Sequence, residues 1–366
     1  MKKFICAVFA MSVLLASQCS AVAQDWPMFR NNGQRTGTMQ GLSAAPRFNG
    51  KIAWTVRTHH AIESSPAFYK NRLYFGTQEG VFHAVDTATG DDAWTFETDN
   101  WITSSPAIVN GRVYVCGYDS RLYCLNADTG ELIWKFTTSG GIMTSPAVAD
   151  DAVYFGSNDG YVYAVSLKTG WQKWKFKTDA AVTGSPVVAD GVVYVGNRNC
   201  KMFAIDASTG KQKWRAVVGG PITAAPAVSN GLLYFTSQDG KIYCARIKHQ
   251  AIIWRYDAKA QIETSPLVCG DKVIFGDISG KVTALDAQNG AKKWVFNDNR
   301  SIFSSPSAAG NVIYVGSDSE KLFAVNADTG QEMWHIRFDS AVKTSPVITE
   351  KAIYVTTSGG SVFAVR

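Results

Sequence analysis

From Lys51 to its end the chain repeats one hydrophobic and polar pattern, with a spacing of 40 residues that never slips. The copy beginning at Met143 shows the grammar. Thr144-Ser145-Pro146 leads into Ala147-Val148, and Asp150-Asp151 turns into Val153-Tyr154-Phe155-Gly156. Asn158-Asp159-Gly160 turns again into Tyr161 to Val165, and Lys168-Thr169-Gly170 precedes Lys173-Trp174-Lys175-Phe176. Each run is rich in β-branched or aromatic residues, bounded by turn residues and without helical periodicity, so every copy predicts four strands. Asn110-Gly111, Asp190-Gly191 and Asn230-Gly231 predict two-residue hairpin turns, because these residues tolerate the positive φ that such turns require.

Aligned copies give columns. Trp54, Trp94, Trp134, Trp174, Trp214, Trp254, Trp294 and Trp334 form one, and Ile62, Ile102, Ile142, Val182, Ile222, Ile262, Ile302 and Val342 another. A Ser/Ala-Pro step recurs from Pro66 to Pro346, and proline, lacking a backbone donor, belongs on an edge or at a strand start. A single four-stranded sheet cannot cover its own faces, so a strand repeat of about 40 residues predicts blades leaning on one another in a propeller. The expected fold is all-β: an eight-bladed β-propeller of four-stranded antiparallel blades over 51–366, behind a lead-in segment over 24–50. Trp54 precedes the first proline while the chain stops after Val362-Phe363-Ala364-Val365. The segment Lys51 to Thr58 is therefore expected to supply the missing outer strand of the last blade and close the ring.

Residues 1–23 read as a signal peptide: Lys2-Lys3, an apolar run from Phe4 to Ala16, then Ala21-Val22-Ala23 at the cleavage positions. Export to a periplasm follows. An outer-membrane lipoprotein anchored at Cys19 is the lesser alternative, since Gln18 is large for the residue before a lipidated cysteine, and membrane association is expected only in that case. The chain carries 36 Lys+Arg against 30 Asp+Glu, two of the lysines in the leader, so the mature charge is about +4 and forms no basic stripe. Nucleic-acid binding is not expected. Of the seven cysteines, Cys116, Cys124, Cys244 and Cys269 occupy small packed columns, and Cys200 in a turn is the candidate reactive thiol. A Cys116 to Cys124 bridge is not expected.

The third turn of each copy follows Ala84-Val85-Asp86-Thr87-Ala88-Thr89-Gly90-Asp91-Asp92-Ala93-Trp94. Its aspartate, or Asn126, Ser166 or Asn326 in that place, caps the turn, and glycine takes a positive φ. The indole buries its ring against the next blade while its N–H finds an acceptor. This spacing resembles the tryptophan-docking motif of pyrroloquinoline quinone (PQQ) repeat propellers. Asp25-Trp26-Pro27-Met28-Phe29-Arg30 with Arg35-Thr36-Gly37 is similar to the lead-in of the same family. The fifth copy departs, with Arg246 and His249-Gln250, so its turn is expected to be irregular. The family divides into quinoprotein dehydrogenases and non-catalytic propellers, the latter including scaffolds similar to the outer-membrane assembly factor BamB. The dehydrogenase branch implies adjacent cysteines against the quinone, a calcium site and inserted loops, and this chain has neither adjacent cysteines nor insertions.

Other chemistry is scarce. His59, His60, His83, His249 and His335 show no metal-ligand spacing. His83 stands in a column of tyrosine and phenylalanine and is expected to be a packed ring. Function is expected where the repeat breaks its own rule, on the face formed by the connections between blades. His59, His60, Trp101 and Arg300 are loop tips there. Just inside lies the column Glu63, Thr103, Met143, Thr183, Thr223, Glu263, Phe303 and Lys343, which shared packing does not dictate. Aromatic, methionine and arginine side chains concentrate in interfaces. The candidate binding face is thus His59, His60, Glu63, Trp101, Met143, Glu263, Arg300, Phe303 and Lys343, with simple Glu63–Lys343 pairing as the competing account of those two. Trp171 marks a weaker contact on the opposite face. The expectation is a monomeric, non-enzymatic scaffold that binds an envelope protein and carries no cofactor. A PQQ-dependent dehydrogenase and a propeller binding a small ligand or sugar are the alternatives.

Overall fold

The structure, a computed structural model, describes residues 25–32, 34–39 and 48–366. The expected signal peptide and Cys19 lie outside the described residues. Eight sheets follow one another around a ring. The first blade runs from the innermost Ala67–Tyr69 through Arg72–Gly76 and Val81–Asp86 to the outermost Asp92–Glu97. Every strand pairs antiparallel with its predecessor, as the short turns dictate. Asn110, Asp190 and Asn230, each followed by glycine, hold the positive φ that the hairpins need. No α-helix occurs among the described residues; Ile247–His249 forms a single 3-10 turn in the divergent fifth blade, and Gln250 takes the left-handed position that glycine holds elsewhere.

The columns are the seams between blades. The isoleucine and valine column is fully buried. Five of its members, Ile102, Val182, Ile222, Ile302 and Val342, lie against the glycine that ends a strand of the preceding blade, so a Cβ at Gly76, Gly156, Gly196, Gly276 or Gly316 would overlap them. Each tryptophan stands directly opposite the small column that holds Ala84, Cys124, Ala164 and their equivalents. A bulge just before it turns the ring toward the next blade. The Trp94 indole N–H donates to Ala127 O of that blade at 3.0 Å, and Trp54, Trp174, Trp254 and Trp294 make the same bond. Trp134 differs: its N–H has no partner. Leu167 O, the equivalent acceptor, receives Arg112 and Tyr114 but not the indole, whereas Ala127 O takes all three equivalent donors. Trp174, Trp214 and Trp294 are buried, while the other five keep one edge in solvent.

Ile52–Arg57 pairs antiparallel with Ser361–Val365 and completes the eighth blade with the N-terminal strand, as the offset of tryptophan and proline implies. The lead-in is expected as an entry segment, with no path assigned to it beyond preceding the blades. It threads the channel instead. Trp26 pairs with Phe68 of blade one and Met28 with Ala107 of blade two. The backbone N–H groups of Val228, Val268 and Ala308 donate to Gln34, Thr36 and Gly37. Thr38–Met39 adds a short parallel strand inside blade seven, so that sheet has five strands rather than four. The innermost strands present unpaired donors to the channel, and the lead-in satisfies them.

Candidate functional site

The column singled out by its variability forms a ring at the mouth of the channel. Glu63, Thr103, Met143, Thr183, Thr223, Glu263, Phe303 and Lys343 line one cup of about 200 Å³. A second ring lies beneath it, made of Ser65, Ser105, Ser145, Ser185, Ala225, Ser265, Ser305 and Ser345. These are the residues before each proline, just ahead of the innermost strands, and they line the same cup. Phe29 is the one lead-in residue in the lining and forms the floor. The Arg35 guanidinium lies 5.2 Å from the centre of the Phe29 ring. Arg35 and Arg30 are fully buried and donate to backbone carbonyls, Arg35 to Pro186 O at 2.6 Å and Ser145 O at 2.9 Å, Arg30 to Pro266 O at 2.8 Å and to Pro306 O. Burial pushes both guanidinium pKa values down to about 9, and for Arg30 the neighbouring Arg35 charge adds to the effect.

The charged members of the mouth are held separately. Lys343 forms no ion pair with Glu63 among the described residues; its ammonium sits 5.4 Å from the centre of the Phe303 ring. Glu263 accepts from Gln261 Nε2 at 2.6 Å and Gln238 Nε2 at 3.3 Å, both on one carboxylate oxygen. Beside Lys343, burial raises the Asp318 pKa above the ordinary carboxyl range against the pull of the lysine. His60 lies 3.2 Å from Glu79 and His59 takes a left-handed φ, so both shape the connection from the closing strand. Arg300 is exposed at its loop tip, and its backbone packs against Gly280. His83 stacks on Phe75 at 5.2 Å and bonds Asp92, the packed ring expected of its column.

Around the mouth lies an apolar patch. Trp101 is 51% exposed, and its ring centre is 6.1 Å from that of Tyr118, itself 39% exposed. The Tyr118 ring covers Gly141, two residues before the 41%-exposed Met143. Tyr118 escaped the sequence reading. Its column, Gln78, Tyr118, Asn158, Arg198, Gln238, Ile278, Asp318 and Ser358, is as variable as the one chosen, and the same rule applied to the second turn would have found it. Arg30 and Arg35 escaped too, since their partners are carbonyls that no sequence marks. Trp171 is 79% exposed in a turn on the other face, alone. All five described cysteines are free.

The quinone and calcium of the dehydrogenase branch do not fit these residues. None of the cysteines lines the cup, and no group of three or more His, Cys, Asp or Glu side chains could hold a metal among the described residues. The cup, about 200 Å³, is also smaller than the roughly 300 Å³ from which pockets for drug-sized ligands usually start.

Among solved structures, BamB from Moraxella catarrhalis superposes with a TM-score of 0.76 at 18% identity, covering 86% of this chain and 99% of that one. A europium-containing methanol dehydrogenase gives 0.78 at 13% identity, covering 90% and 89%. Quinohemoprotein alcohol dehydrogenase from Comamonas testosteroni gives 0.79 at 15% identity, covering 93% and 80%. At such identities the likeness establishes the propeller fold, shared by enzymes and BamB alike. No curated protein sequence matches the chain. The family model described as beta-alanine-activating enzyme, beta-propeller, matches residues 40–245 and 148–366. Those two spans take in every blade, and the chain belongs to that beta-propeller family.

Proposed function

We propose that this propeller is an exported, non-enzymatic module that holds an envelope protein against its loop face. The observation that carries the reading is the exposed Trp101, Tyr118 and Met143 patch beside the mouth, whose ring also presents Glu63, Lys343 and Phe303 around the channel, with Arg300 exposed at a loop tip between blades six and seven. Aromatic anchors beside charged residues make an interface core with a polar rim. The leader over residues 1–23 supports export, and the BamB-like shape accords with an envelope role. The rings around the cup supply no nucleophile with a base, and the docking motif is spent on architecture.

Affinity capture from the native envelope tests this reading. The intact protein should retain an envelope partner, and Trp101→Ala with Phe303→Ala should release it while the melting temperature holds. Spectral titration with PQQ and Ca²⁺ runs beside it. A bound chromophore with dye-linked alcohol oxidation overturns the reading, as does capture that the double variant leaves intact.

A further inference from the structure

We propose that the cup at the channel mouth is a binding site for one small neutral polyol, of the size and hydroxyl density of a single sugar ring. The site rests on the hydroxyl groups of the cup rather than on the Trp101, Tyr118 and Met143 patch, although Glu63, Phe303 and Lys343 border both.

The argument begins with hydroxyl groups. Ser105 and Ser345 are 3% and 6% exposed and line the cup, and neither hydroxyl has a hydrogen-bond partner among the described residues. The Oγ1 atoms of Thr103 and Thr183, also in the lining, are buried without a partner. Ser65, Ser145, Ser185, Ser265 and Ser305 each accept a backbone N–H from the neighbouring blade, at 2.9 to 3.1 Å. That bond occupies a lone pair and leaves the hydroxyl proton to be donated elsewhere. The two threonine oxygens are sealed off from the void, while the unpartnered Ser105 and Ser345 hydroxyls and the five serines that still have a proton to donate set free hydroxyl groups around it, ready for a ligand.

Charge selects among ligands. Glu63 and Glu263 stand in the upper ring and repel an anion, while Lys343 beside them and the buried Arg30 and Arg35 beneath the floor repel a cation. A neutral molecule meets neither penalty. Both bonds from Gln261 and Gln238 fall on Oε1 of Glu263, so Oε2 is left to accept from a ligand hydroxyl. Phe29 on the floor and Phe303 on the wall offer aromatic faces to the C–H side of a ring. The volume of about 200 Å³ is on the scale of one ring, so further rings of a chain would lie outside the cup.

The test is saturation-transfer NMR with calorimetry on the mature protein. Neutral probes are glucose, galactose, mannose and myo-inositol; glucosamine and glucuronate are the charged counterparts. At least one neutral probe is expected to bind saturably with Kd below about 10 mM, and both charged probes about tenfold more weakly. Ser105→Ala with Ser345→Ala, near-isosteric changes, should weaken binding about tenfold. Glu263→Gln at the rim gives an independent arm with loss in the same direction, should the double variant unfold. Trp101→Ala should leave sugar binding unchanged while abolishing envelope capture, so failure of one reading is distinguishable from failure of the other. Absence of saturable neutral binding, preference for a charged probe, or binding undiminished in a folded hydroxyl variant overturns the proposal.

Discussion

Gly130 has a φ of +78°, and a Cβ built on it would lie 2.6 Å from the Trp94 indole. Gly111 has nearly the same φ, +72°, with nothing within 4 Å of its Cβ position. The pair separates backbone strain from crowding. Gly111→Ala is expected to cost about 1 kcal/mol from the left-handed conformation alone. Gly130→Ala adds overlap with a packed ring and is expected to cost about 2–4 kcal/mol. Urea unfolding midpoints of the two variants measure the difference, and equal shifts would mean that the indole seam yields. Trp174, buried and bonded to Ala207 O at 2.8 Å, sets the scale for the other side of such a seam. Trp174→Ala should cost about 3 kcal/mol or more, and Trp94→Ala, whose edge is wet, less. The tryptophan was legible because it repeats in every copy, and the Gly130 position because glycine recurs there in all but the fifth. Tyr118 was not, because a single exposed ring in one copy carries no periodic signal, only a departure from its column.

Turns carry charge chemistry as well as shape. In the third turn of blade four, Asp206 Oδ1 accepts from the Ser208 hydroxyl at 2.7 Å, the Thr209 hydroxyl at 3.0 Å and both backbone N–H groups. Oδ2 lies 3.2 Å from Lys213. Donation from Ser208, then from Lys213 and Thr209, holds the carboxyl pKa well below its ordinary value. A depressed carboxyl contributes stability that is fully present above the unfolded value, near 3.9, and is lost as pH falls through the folded one. Asn126 and Asn326 cap the same turn in their own blades through equivalent backbone bonds. Asp206→Asn should therefore keep the turn and lose the charge. Its melting temperature is expected below that of the parent at pH 7, with the gap closing as pH drops below about 4. A gap that persists unchanged into acid would assign the difference to geometry instead. The turn itself was readable from its aspartate, threonine and glycine. The path of the lead-in was not, since what it recognises are backbone groups that every blade presents regardless of sequence.

Closure of the ring depends on two N-terminal pieces with separate tasks. Ile52–Arg57 joins the last blade to the first, and the lead-in ties the inner strands together from within the channel. The shared columns announce the first, because a surplus tryptophan demands a place. Arg35 holds the second by bonding carbonyls of blades three and four, and Arg30 by bonding those of blades six and seven. Two opposing effects meet there. Each guanidinium suffers desolvation, which lowers both pKa values, and the Arg35 charge lowers that of Arg30 further. Against this, hydrogen bonds from a charged donor are worth about 1.5–3 kcal/mol each, and removing the donor strands buried carbonyls. Several such bonds outweigh the repulsion, so Arg35→Met is expected to cost about 3–5 kcal/mol in thermal or urea unfolding. Arg30→Met should cost less, because Arg30 bears the Arg35 charge as an added burden. Once either arginine is gone the survivor is relieved of its like-charged neighbour. Unless the carbonyl networks fail together, the double variant should then fall further than the two single losses sum to, since each single loss is softened by that relief. A double variant that merely adds would place the arginines too far apart to feel one another, and single variants with unshifted midpoints would leave the inner strands held by the backbone pairing of the lead-in alone.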